Sequence, residues 1–150
     1  MMKPILTIGP PRAGWLPVEF RIGSAVHEVH ASDVANDPIR DLALAVRGLL
    51  IGDAERSVHF WEEEPTTILQ LVNDARREEL TLRLYETNET ELEEVRGTLL
   101  GVEQLPFREG CRRLIRILEN LNVPEFLEVH EREWKREFPR EKIRECRDLL

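Results

Sequence analysis

The sequence is short of the residues that would mark a special class of protein. It has only two cysteines and two methionines, and aromatics make up 6%. Two cysteines exclude a disulfide-built scaffold. So few aromatics leave a core of Leu, Ile and Val. No apolar run approaches the roughly 20 residues needed to cross a bilayer. The apolar stretch from Ile5 to Ile8 is cut off by Pro10 and Pro11, too soon for a secretory signal. The cytoplasm is therefore the expected compartment, and no membrane partner is expected. Cys111 and Cys146, both on apolar helix stripes, are then expected as buried free thiols.

Basic residues are also in deficit. The net charge is −8, and it is uneven: residues 1–105 carry −9 and residues 106–150 carry +1. An acidic body argues against general nucleic-acid binding, which needs basic surface to displace counterions, and suits a basic protein partner. Catalytic signatures are missing as well. There is no G-x-S-x-G, H-E-x-x-H, phosphate loop or dinucleotide fingerprint, and nothing calls for a cofactor. That favours a binding protein over an enzyme.

At 150 residues and 41% hydrophobic content, the chain has enough apolar mass for one domain over 1–150. Leu16, Val18, Phe20 and Ile22 alternate with polar residues as in a half-buried strand. Gly23-Ser24 fits a two-residue hairpin turn. The return strand, Ala25 to Ala31, then pairs Ile22 with Ala25, Phe20 with His27, Val18 with Val29 and Glu19 with Glu28. Residues 3–8 suit a short first strand. Asp37-Pro38 is a strong helix start. Ile39, Leu42, Ala43, Val46, Leu49 and Leu50 follow at helical spacing, and Gly52 ends the run. Four more strands are expected at about 56–62, 66–73, 78–86 and 92–103. Three helices follow, on the stripes Phe107–Leu121, Val123–Trp134 and Ile143–Leu150. The predicted fold is α+β: one antiparallel meander of six to seven strands, a helix inserted after the third strand, and three C-terminal helices on one face.

Four groups of residues invite a chemical reading. His27 faces the core opposite Phe20, where a hydrogen-bonded structural histidine is commoner than a catalytic base. Glu19, Glu28 and His30 share the other face of the hairpin. Facing carboxylates repel, and a divalent metal would relieve this, giving the alternative of a metal-dependent hydrolase. Arg21, diagonal to Glu28, would relieve it more simply. Arg108, Arg112 and Arg116, with Arg113 beside them, recur at helical spacing and suit a solvated face or salt bridges to the acidic sheet. Trp61-Glu62-Glu63-Glu64-Pro65 sets an aromatic and three carboxylates at a turn. Glu86, Glu89, Glu91, Glu93 and Glu94 form a second acidic cluster. If both loops open on one edge of the sheet, they form an acidic docking surface for a basic protein. A further alternative is a self-associating module that uses the uncharged segment Thr66 to Asn73 as an exposed edge strand.

Three features stand in order along the chain. Ser32-Asp33 leads into Asn36-Asp37-Pro38-Ile39 and an apolar helix. Trp61 precedes Glu62-Glu63-Glu64-Pro65. Trp134 precedes Phe138-Pro139 and a short last helix. This order resembles a group of small bacterial proteins of unassigned function, over residues 32–73 and 126–150. Small acidic α+β proteins of this type are similar to the immunity proteins that neutralise polymorphic toxins. The resemblance implies protein binding and carries over no catalytic residue.

Overall fold

The computed structural model describes residues 3–63, 65–88 and 97–150. Strands β1 (Leu6–Ile8), β2 (Trp15–Ile22) and β3 (Ala25–Ser32) precede helix α1 (Pro38–Leu50). Then come β4 (Glu55–Trp61), β5 (Thr66–Asp74), β6 (Glu79–Thr87) and β7 (Thr98–Pro106). Helices α2 (Phe107–Asn120), α3 (Pro124–Glu133) and α4 (Arg140–Leu149) complete the chain. Among the described residues, no helix is long and apolar enough to cross a membrane.

The first hairpin forms in the expected register, with Ile22 opposite Ala25 and Glu19 opposite Glu28. The single meander does not form. The strands make two antiparallel sheets, β1-β2-β3 and β4-β5-β6-β7. The break falls between β3 and β4, where side chains take up main-chain groups that a ladder would use. Glu62 Oε1 accepts from the His30 N–H. The Asn36 side-chain amide donates to His59 O at 2.8 Å and to Asp41 at 2.9 Å. With those groups satisfied locally and a helix between the strands, a continuous ladder has little to add.

Both sheets have one apolar face, and the two faces meet. Phe20 and Phe60 pack edge to face, with ring centroids 4.9 Å apart. The β2–β3 turn rests on β7. A side-chain carbon at Gly101 would lie 2.4 Å from Ile22 O, and one at Gly23 would lie 2.6 Å from Val102 O. Helices fill the rest of the gap. Gly110 of α2 sits over Leu80 and Leu105. Helix α4 is tied to α1 by Arg47–Glu145 (2.7 Å) and by Cys146 Sγ donating to Ala43 O (3.3 Å). It is tied to α2 by Arg147–Glu119 (2.5 Å). Cys111 and Cys146 are buried and free. Burial raises their thiols to about 12 and about 11, so neither ionises at neutral pH.

Helix α3 does not join that layer and leans on the start of α1. Trp134, fully buried, donates from its indole N–H to Asp37 Oδ1 at 3.2 Å, and the same carboxylate caps α1 by accepting from the Ile39 N–H. Lys135, next in the chain, has φ +61°. A side chain in that left-handed region costs about 1–2 kcal/mol, and glycine is the usual occupant just past a helix end. After allowing for glycine's greater freedom when unfolded, Lys135→Gly should raise stability by about 0.5–1 kcal/mol in urea unfolding.

Candidate functional site

The four-stranded sheet has a second face, formed by the residues that alternate away from the core. The rows across it are Trp61, Thr66 and Thr87; then His59, Ile68, Tyr85 and Leu99; then Ser57, Gln70, Arg83 and Val102. Trp61, Ile68, Tyr85, Leu99 and Val102 all lie outside the main core cluster. The middle of this face is covered: Thr66, Ile68, Gln70 and Thr87 are 5%, 0%, 8% and 7% exposed, while Leu99 and Val102 on β7 are 48% and 40% exposed. An irregularity between Leu84 and Tyr85 places Leu99 rather than Leu100 opposite Tyr85, and Leu100 packs on the core instead. A polar strip runs through the face: Arg83 donates to Gln70 at 3.5 Å, and Gln70 donates to Glu55 at 2.5 Å.

Glu62 and Glu63 follow Trp61 at one end of this face. Trp61 is opposite Thr66, and Thr66 is opposite Thr87. The β4–β5 turn and the β6–β7 connection therefore leave the sheet at the same end. Glu62 is half-buried and held by the His30 N–H. Glu63 is exposed, with φ +83°. Trp61, half-buried, stands where the apolar face meets this turn. Glu86 points the other way, between the sheets, with its carboxylate 3.4 Å from His27 Nε2. Glu64, Glu89, Glu91, Glu93 and Glu94 lie outside the described residues.

The remaining candidates are placed as follows. His27 is opposite Phe20, and its Nε2 also meets Thr67 Oγ1 at 3.1 Å, so its partners are side chains rather than backbone. Glu19 and Glu28 do face each other, but Arg21 turns to Glu19 at 2.8 Å and not to Glu28. Glu28 and His30 are exposed, and no three His, Cys, Asp or Glu side chains among the described residues are grouped to hold a metal. Strand β5, proposed as an edge, lies inside the sheet with β4 and β6 on either side. The arginine stripe is divided. Arg113 reaches Glu103 of β7 (4.0 Å) and Lys3 O (2.9 Å), Arg108 donates to Leu150 O, and Arg112 and Arg116 are exposed.

Sequence reasoning missed the far face of the second sheet. A signal was present in β5, where Ile68 and Val72 fall on the side opposite Leu69 and Leu71. It also missed a groove between α3 and the start of α4, beside His130. His130 is 2% exposed, stacked on Phe126 and edge-on to Phe138. Burial lowers its pKa from the ordinary 6.5 against the opposing pull of Asp37, and burial lowers His59 in the same way against Asp41. In both cases the folded state resists protonation. Their stability contribution is complete above 6.5 and is lost as the pH falls through 6.5 towards the depressed folded values. Asp37 acts in the opposite sense: burial raises its pKa above 3.8, so its own protonation favours folding at lower pH. Urea midpoints should therefore begin to fall between pH 7 and 6, and fall less in a His130→Leu variant.

These features define an α+β protein of two antiparallel sheets whose apolar faces meet, with Leu99 and Val102 exposed on the far face of the second. The chain is similar to one chain of a solved CdiA-CT/CdiI toxin and immunity complex from Enterobacter cloacae. Identity is 13% and the TM-score 0.49, over 76% of this chain and 97% of that one. No family model matches the sequence, and no curated protein matches it.

Proposed function

We propose that the chain is a non-catalytic binding protein, immunity-like in role, that holds a basic protein partner at the Trp61–Glu63 end of the far face of its four-stranded sheet. The observation that carries this reading is the position of Trp61. It is half-buried and outside the core, with apolar Ile68, Tyr85 and Leu99 on one side and Glu62 and Glu63 on the other. A large aromatic beside a charged rim is the usual build of a binding hot spot. Glu64, Glu89, Glu91, Glu93 and Glu94 lie outside the described residues, and their negative charge would add to the attraction for a cationic surface.

The product of the neighbouring gene is the partner to test, by capture on the immobilised full chain. The wild type should retain a basic product, more weakly as salt rises. Trp61→Ala should weaken capture by about 30-fold or more. Joint reversal of Glu63 and Glu64 to Lys, with Glu62 kept because it accepts from the His30 N–H, should weaken capture by about tenfold or more while far-UV and near-UV circular dichroism stay unchanged. Equal capture by the reversed and native chains, or capture of an acidic product, refutes the reading.

A further inference from the structure

The groove between α3 and α4 is independent of the sheet face and shares no residue with it. Its volume is about 1020 Å³, at the upper end of the range for small-molecule sites. Three features of its wall point to the same kind of guest.

The first is electrostatic. In a chain of net charge −8, this groove is lined by five cations against four glutamates. Arg136 is used on Asp33 O, and Lys142 lies 3.6 Å from Glu145. Arg40, Lys135 and Arg140 have no carboxylate partner among the described residues.

The second is the backbone. The ten-residue helix α4 begins in the groove, with Pro139 before it and no side chain capping its free amides. Uncapped first-turn N–H groups and the positive end of the helix dipole attract an anion.

The third is His130, which lines the same groove and is 2% exposed, and whose Nε2 has no hydrogen-bond partner. A buried polar atom left unpaired calls for an explanation, and a ligand atom supplies one. Phe138 stands edge-on to that imidazole at 5.6 Å and also lines the groove, offering a flat apolar surface.

From these we infer that the α3–α4 groove binds a small organic anion. Its oxyanion head would sit at the start of α4 near Arg40 and Arg140, and its flat apolar body would lie along His130 and Phe138. Phosphate esters and aryl carboxylates share this chemistry.

Phenyl phosphate, benzoate and inorganic phosphate, each titrated into the labelled full chain, test it by NMR. Phenyl phosphate or benzoate should give saturable shifts at the amides of Glu141 and Lys142 and at the His130 ring. The stronger of the two identifies the head group. Inorganic phosphate, lacking the flat body, should bind about tenfold more weakly. Arg40→Ala combined with Arg140→Ala, both exposed and so harmless to folding, should weaken binding by at least about tenfold. Shifts that do not saturate, or that survive the double substitution, mean an adventitious ion only and overturn the proposal. Inorganic phosphate binding as tightly as phenyl phosphate overturns it too. Loss of partner capture by the sheet face would leave these titrations unchanged, so the two ideas fail separately.

Discussion

Trp134→Ala should lower the unfolding free energy by about 4–5 kcal/mol, the upper part of the range for removing a large buried aromatic. That is a large share of the roughly 5–15 kcal/mol that holds a typical domain folded. The size of the effect comes from the number of parts that meet at this side chain. The indole is fully buried, and its N–H donates to Asp37, the residue that caps α1. Truncation opens a cavity under α3 and also removes a donor from a carboxylate already strained by burial. Trp134→Phe separates the two contributions. It keeps most of the volume and loses the donor, at an expected cost of about 1–3 kcal/mol. Urea unfolding followed by circular dichroism measures both variants. A loss below about 2 kcal/mol for the alanine variant would mean that α3 is held by other contacts.

Gly101→Val should cost about 2–3 kcal/mol, near the top of the overpacking range. A side-chain carbon here meets the Ile22 carbonyl at 2.4 Å and the Ala25 Cβ at 2.9 Å. Neither is the free end of a flexible side chain, so the whole β2–β3 turn must lift off β7. Lifting the turn also disturbs the Gly23 N–H bond to Glu103 at 3.2 Å. The check is hydrogen exchange at Gly23 and Ala25 together with the urea midpoint. A variant with native exchange at both amides would show that the turn is not seated as described.

Much of the fold was legible because local signals agreed with one another. Alternation from Leu16 to Ile22, a glycine at the turn and a second alternating run fixed one hairpin register, and the structure has that register. Asp37-Pro38 marked the start of α1 because a cap and a preset φ act within one turn of chain. The division into two sheets was not legible, since it depends on Asn36 and Glu62 reaching groups 23 and 32 residues away. The last strand was expected to end at 103 but continues to Pro106, because its end is set by pairing with Glu79 on β6. A strand apolar on both sides, as β5 is at Ile68 to Val72, reads as covered on both sides, and Ile68 to Leu71 are buried; the exposed apolar residues lie instead on β7, at Leu99 and Val102. Of the acidic site, Trp61, Glu62 and Glu63 lie at the expected turn. Glu86 falls on the inward side because it continues the alternation of Leu80, Leu82 and Leu84, and its carboxylate lies 3.4 Å from His27 of the other sheet.

Strand β7 ends at Pro106 and helix α2 starts at Phe107, with no residue between them. Sheet and helix are thus joined like a lever welded to its plate. A change of twist in β7 has no slack in which to dissipate and must tilt α2, and the Arg147–Glu119 clasp passes that tilt to the C-terminal end of the chain.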